Sequence, residues 1–261
     1  MTLTETAQAA DTFDLTGRRA VVTGASRGIG RAITLGFASR GAQVVAVARS
    51  ADDLDETSRL SADLDGAVFP VVADLCSSDD GPAQMVARAA ELLGGIDVLV
   101  NNAGYDNEQG VDDTTTEEWD KVIDLNVRSQ FLLCRAASPY LKDGGAKVIN
   151  IASIFGHVGT REEIAYITSK HAVMGMTKAL ALEWARKDVQ VNALCPGFVD
   201  TDMIARAVSD DATAKYLRRM TPLGRWAQPE EMVGPAVFLA SAASDFMTGQ
   251  ALIIDGGYTA Q

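Results

Sequence analysis

The stretch Arg19-Ala20-Val21-Val22-Thr23-Gly24-Ala25-Ser26-Arg27-Gly28-Ile29-Gly30 decides the fold. Its first five residues form an apolar run of the kind that burial on both faces of a sheet requires. The residues after it, Ile29–Ser39, have helical character, so the glycines sit in a strand–turn–helix junction. There they have separable jobs: Gly24 allows the sharp turn off the strand, Gly28 lets main chain approach a pyrophosphate, and Gly30 lets the helix pack against the sheet. The spacing is G-x-x-x-G-x-G rather than G-x-G-x-x-G, and its place after a strand makes it a dinucleotide-binding turn.

Working outward, short β-branched runs alternate with helical stretches along the chain. Candidate strands are Arg19–Thr23, Gln43–Ala48, Ala67–Val72, Val98–Asn101, Lys147–Ile151, Val189–Leu194 and Ala251–Ile254. Candidate helices are Ile29–Ser39, Ala51–Ala62, Pro82–Leu93, Glu117–Tyr140, Ile164–Arg186 and a split segment from Met203 to Ala240. Right-handed crossovers then place helices on both faces. The expected fold is α/β: a single-domain, doubly wound, Rossmann-like sheet of seven parallel strands over residues 15–261, preceded by a mobile tail over residues 1–14. Gly41 reads as a left-handed cap of the first helix, Thr116 as the N-cap before Glu117 and Glu118, and Pro229 as a first-turn residue.

The chain has 261 residues, 47% of them hydrophobic, enough for a sizeable core. Its 35 acidic and 23 basic side chains give a net charge of −12, which repels nucleic acid and anionic lipid. Neither partner is expected. The first residues lack the basic and apolar pattern of a targeting segment, and no apolar run is long enough to span a bilayer, so the expected location is the cytoplasm. Cys76, Cys134 and Cys195 read as reduced thiols, and with only His157 and His171 besides no zinc-type cluster forms, so no metal is expected.

The Thr-Gly-x-x-x-Gly-x-Gly turn, together with Asn101-Asn102-Ala103-Gly104 after the fourth strand, resembles the short-chain dehydrogenase/reductase family. The resemblance extends over Leu15 to Tyr258. It implies a catalytic tetrad of Asn126, Ser153, Tyr166 and Lys170. It also implies a cofactor-binding set of Gly24, Ser26, Arg27, Gly28, Ile29, Gly30, Arg49, Asp74, Leu75, Asn102, Ala103, Gly104, Tyr166, Lys170, Pro196, Gly197, Val199 and Thr201. In that family the Asn126 position holds a water in a proton relay that ends at Lys170, and Asp74 contacts the adenine.

The residue types suit hydride chemistry. Tyr166 and Lys170 are four apart on a helix and share a face, so the ammonium is expected to lower the phenol pKa and let Tyr166 serve as general acid or base. Ser153, just past the fifth strand, is placed to hydrogen-bond a carbonyl oxygen as charge grows on it. His157 reads as a loop histidine more than a catalytic one, and nothing basic is expected beside Cys195. Glu162 and Glu163 read as a solvated first turn of the helix that follows.

Strand two ends Val47-Ala48-Arg49-Ser50, with Ala48 where NAD-preferring enzymes carry an acid, and Arg27 stands inside the glycine turn. Two guanidiniums converging on a 2′-phosphate make the expected cofactor NADP(H). The expected activity is interconversion of a ketone and a secondary alcohol, with residues 200–220 as a substrate flap. Segments from Thr221 to Trp226 and from Phe238 to Gly249 resemble gluconate 5-dehydrogenase-type sugar-acid reductases. The 3-oxoacyl-carrier-protein reductases are nearly as similar, and a general carbonyl reductase fits too. A non-catalytic dinucleotide sensor is the alternative of another class, against which the intact Ser153, Tyr166 and Lys170 argue. The Ile164–Arg186 helix is apolar almost all round, and with the resemblance this makes a homotetramer the expected assembly.

Overall fold

Seven strands, β1 (Arg19–Thr23), β2 (Gln43–Ala48), β3 (Ala67–Val72), β4 (Val98–Asn101), β5 (Ala146–Ile151), β6 (Val189–Pro196) and β7 (Ala251–Ile254), pair in parallel in the order β3-β2-β1-β4-β5-β6-β7. The computed structural model describes residues 12–141, 144–207 and 211–261. The order reverses at β1, between β2 and β4, and ligands of doubly wound sheets bind at the carboxyl ends of the strands beside such a point. β5 and β6 are buried along their whole length, as strands covered on both faces must be. Pro70 lies within β3, at a sheet edge, where a missing ladder donor is tolerated.

One core, containing Ile33, Phe37, Val44 and Leu239, lies under α1 (Gly28–Ala38) on one face. The other, containing Leu99, Leu133 and Trp184, lies on the opposite face, under α3 (Gly81–Leu93) and helices of the second half. α2 (Ala51–Leu60) covers β3, with the Ser50 hydroxyl accepting the Asp53 amide as N-cap.

Three local readings differ from the sequence expectation. The N-cap of α4 (Thr116–Ile123) is Thr115, whose hydroxyl accepts the Glu118 amide at 3.2 Å; three successive threonines left the choice open. The single helix expected over Glu117–Tyr140 is divided by a π-helical turn at Asp124–Arg128 before α5 (Ser129–Ala137). Residues 1–11 of the expected tail lie outside the described residues, and its last three are docked: the Thr12 carbonyl accepts the Ala243 amide at 3.1 Å and Phe13 packs on Phe238. Gly41 has φ +81°, as its capping role requires.

The second half adds α6 (Ile164–Trp184), α7 (Asp202–Ala207), α8 (Asp211–Met220) and α9 (Val233–Ala240). Pro229 opens a short 3₁₀ turn capped by Gln228 and Glu231. α7 and α8 occupy the flap expected over 200–220, and residues 208–210 between them lie outside the described residues.

Candidate active site

The glycine turn is fixed from below by Asn102. Its amide nitrogen donates to the Thr23 carbonyl at 2.8 Å and the Gly24 carbonyl at 3.2 Å, while the Thr23 hydroxyl accepts the Asn102 and Ala103 amides. Gly24 and Gly28 have φ of +65° and +53°, which side chains disfavour, and a Cβ on Gly30 would collide with the Gly24 carbonyl oxygen. A Cβ on Gly28 would come 3.2 Å from the Thr201 methyl, so the turn and the start of the flap face each other closely. Ser26 and Ile29 are half-buried in the turn. This is a cradle that admits main chain alone, and it fits a pyrophosphate.

Around the cradle, Arg49 is exposed at the end of β2, and Leu75 is buried below the edge beside Asp74, whose carboxylate accepts the Cys76 amide at 2.9 Å. Pro196 ends β6. The Gly197 amide bonds the Ile254 carbonyl at 2.9 Å, and Val199 bridges to Ala227. Arg27 does not converge with Arg49 here: its guanidinium pairs with Asp202 of α7 at 2.9 Å, both groups being exposed. A phosphate claiming Arg27 must compete with that carboxylate.

The four polar residues of the tetrad are gathered at the carboxyl ends of β4 and β5. Tyr166 and Lys170 face inward from α6, and both are buried. Lys170 Nζ donates to the Ile151 carbonyl at 2.9 Å and lies 5.3 Å from the Tyr166 ring centroid. Ser153 opens a 3₁₀ turn; its hydroxyl accepts the Phe155 amide at 3.1 Å and hydrogen-bonds the Tyr166 phenol. A Cβ on Gly104 would lie 3.3 Å from Asn126 Oδ1 and 3.8 Å from Lys170 Nζ, which brings Asn126 to the same floor.

The Asn126 side chain is fully engaged. Oδ1 accepts the Tyr105 amide at 2.8 Å, and Nδ2 donates to the Tyr105 carbonyl at 2.8 Å and to Ser169 Oγ at 3.0 Å. It holds the loop after β4.

Electrostatics depart from the expected lowering of the Tyr166 pKa. Burial pushes the phenol pKa upward, Asp106 adds to the rise, and the Ser153 hydroxyl opposes it. Burial lowers Lys170 to about 8, and the Asp106 carboxylate opposes the fall. Desolvation is therefore the leading influence on both groups in this state.

Beside Tyr166 stand an aromatic wall and an acidic rim. Phe155 meets Tyr166 and Phe198 edge to face, and Phe198 meets Tyr258 at 5.4 Å between centroids. The rim corrects the reading of Glu163 as a solvated first-turn acid. Glu163 is half-buried and shares a hydrogen bond with Asp106; burial first, then the Asp106 and Glu108 charges, push it up to about 9. Its Oε2 is buried and has no hydrogen-bond partner among the described residues. Glu162 is exposed and strained, with φ +60°.

A base does stand beside Cys195, contrary to expectation: His157 Nε2 lies 3.6 Å from its sulfur. Burial nevertheless raises the thiol to about 11, so it stays protonated and is no nucleophile. His171 points away, bonded to the Ile167 carbonyl. Among the described residues no group of three or more His, Cys, Asp and Glu side chains is arranged to hold a metal ion.

Residues 24–259 match the family described as enoyl-(acyl carrier protein) reductase. Gluconate 5-dehydrogenase of Gluconobacter oxydans is 39% identical over 95% of this chain and 97% of its own length. The chain belongs to the short-chain dehydrogenase/reductase family. This oxidoreductase is also 38% identical to the 3-oxoacyl-[acyl-carrier-protein] reductase of Thermotoga maritima, over 93% of this chain and 98% of that protein. A gluconate 5-dehydrogenase from Burkholderia cenocepacia, solved with NADP and tartrate, superimposes with a TM-score of 0.91 at 35% identity, covering 96% of this chain and 98% of that one.

What the sequence reading missed in this short-chain dehydrogenase/reductase is the substrate side: Asp106, Glu163, Phe155, Phe198 and Tyr258. Glu163 stands three residues before Tyr166, at the N-cap of α6, a nearness along the chain that is present in the sequence. Asp106 reaches the same spot from a loop, for which spacing gives no signal.

Proposed function

We propose that this enzyme interconverts a secondary alcohol and a ketone with NADP(H), and that it works as a cytoplasmic homotetramer. The observation that carries the reading is the buried Ser153–Tyr166–Lys170 group at the strand ends, next to a glycine cradle that only main chain can line. The turn Gly24–Gly30, Asn102–Gly104 and the segment from Pro196 to Thr201 would hold the dinucleotide, with Arg49 and Arg27 on its 2′-phosphate. NADP(H) bound there supplies or accepts the hydride.

The chain's own residues handle the oxygen and its proton. In the reducing direction the Ser153 hydroxyl and the Tyr166 phenol donate hydrogen bonds to the substrate carbonyl oxygen, opposing the charge that grows there. Tyr166 then gives up its proton, and the upward push on its pKa by burial keeps it the acid form until that moment. Lys170 spends one donor on Ile151 and has two more for ribose hydroxyls and the nascent phenolate. As the phenolate forms, the ammonium beside it gains the opposite charge it lacks in the resting state.

For the substrate, the named relatives favour a polyhydroxylated acid of the gluconate type over an acyl-carrier thioester. The acidic rim sharpens this: Glu163 Oε2 suits a substrate hydroxyl, and Asp106 repels a carboxylate, so a sugar acid binds with its carboxylate away from the rim. The reading is tested by following NADPH loss with 2- and 5-keto sugar acids, β-keto esters and aryl ketones. Turnover fastest on a keto sugar acid is the expected result, and fastest turnover on a β-keto ester or an aryl ketone overturns the substrate class. For the assembly, Leu182 on α6 is 83% exposed and Phe131 on α5 is 48% exposed, apolar surface that a two-fold contact covers. Light scattering at micromolar concentration should give a tetramer mass; a monomer overturns it.

A further inference from the structure

A column of polar side chains runs between α5, α6 and the ends of β4 and β5. At its upper end Asn126 binds Ser169; at its lower end Asn101 Nδ2 donates to Asn150 Oδ1 at 2.9 Å and to Cys134 Sγ at 3.3 Å, and Asn150 donates to Thr177. Asn126, Gln130 and Cys134 follow one another at four-residue spacing, so Gln130 occupies the same helix face between the two ends. Gln130 is 1% exposed, and neither its Nε2 nor its Oε1 has a partner among the described residues. Asn101 Oδ1, on the residue whose Nδ2 meets Cys134 one helical turn along α5 from Gln130, is also buried and has no partner among the described residues.

Three unsatisfied polar atoms in one stretch of a buried column are not a stable end state, because buried amides are hydrogen-bonded almost without exception. Nothing apolar satisfies them, and a small polar guest with both donor and acceptor capacity does. One water makes about three hydrogen bonds in such a site, which matches the three atoms.

We propose that Gln130 and Asn101 hold an internal water, and that it ties α5 to the end of β4 and so steadies the neighbouring Asn102 amide beneath the cofactor turn. Asn101 is the last residue of β4, and Asn102 fastens the Thr23 and Gly24 carbonyls. Gln130 is thus a positioning residue, three links from the dinucleotide. The second half of the proposal rests on the NADP(H) reading; the first half does not.

The test is a crystal structure of the full chain, at a resolution that shows ordered water, set beside that of Gln130→Leu. The expected result is a water within hydrogen-bond reach of the Gln130 amide and Asn101 Oδ1, lost in the variant. A dry site, with Gln130 bonded directly to Asn101 or to main chain, overturns the proposal, and the wild-type crystal alone shows this should Gln130→Leu fail to fold. The positioning role is read by kinetics. Gln130→Leu should raise the NADPH KM about threefold with kcat and the ketone KM unchanged, whereas Gln130→Glu, which keeps a polar group on the water, should restore most of it. An NADPH KM unchanged in Gln130→Leu overturns the positioning role even if the water is present. A protein that binds no NADPH defeats the cofactor reading while leaving the water site to be judged by the crystal structure.

Discussion

The cofactor side and the substrate side of the same cleft are built on different principles. On the cofactor side, positions are fixed by main chain: glycines at positive φ, amides bonded to Thr23, and an asparagine clamped under the turn. On the substrate side, side chains decide: an aromatic wall and two carboxyl groups sharing a hydrogen bond, one from a loop and one from the N-cap of α6. Main-chain sites tolerate few sequences and therefore announce themselves, while side-chain sites can be assembled from distant segments and leave little local trace.

The contrast can be broken where the two sides meet, at Lys170. Lys170→Ala removes the charge beside the phenol and a donor for the ribose, so kcat should fall by about 10²-fold or more and the Kd for NADPH should rise as well. A variant that loses only kcat assigns Lys170 to the substrate side alone.

Next in size is cofactor choice. Wild type should favour NADPH over NADH by about tenfold or more in kcat/KM, about 1.4 kcal/mol. Ala48→Asp with Arg49→Leu should reverse the preference, because a carboxylate there repels the 2′-phosphate. Equal use of NADH by wild type contradicts the reading. The Arg27–Asp202 pair sets a limit on the preference, since the phosphate must displace an exposed carboxylate worth little by itself.

These cofactor-side features are legible in the sequence because they depend on order along the chain. All seven strands fall where the β-branched runs predict, with β5 and β6 longer by one and two residues. The π turn at Asp124–Arg128 is not legible: Asn126 is drawn to both main-chain groups of Tyr105, a contact across 21 positions that no helical periodicity encodes. The state of Tyr166 escapes the sequence for a related reason. Four-residue spacing shows an ammonium near a phenol, but the burial that governs the phenol depends on the whole cleft. Glu163 reads as solvated in the sequence because an acid in a first helical turn usually is; Asp106 and burial make it otherwise.

The smallest effect sharpens the substrate side. Glu163 is held above its ordinary value, so the folded state keeps a proton that the unfolded state releases between the usual carboxylate range and about pH 9. That contribution is intact below the carboxylate range and is lost as pH rises towards 9. Glu163→Gln should therefore flatten the decline in Tm over this window and raise Tm at pH 8 by about 3 °C, partial exposure limiting the gain. An unchanged pH dependence of Tm shows that Glu163 is solvated after all.

The central claim is that Tyr166 is the proton donor of an NADP(H)-dependent ketone reductase, and one comparison tests it most directly. NADPH binding and NADPH oxidation are measured for wild type and Tyr166→Phe on the best ketone of the panel. The account predicts cofactor binding within a few-fold and a rate lower by about 10²-fold or more, since only the acid is removed. A variant that keeps more than about a tenth of the wild-type rate contradicts it, because general acid catalysis typically contributes far more than that.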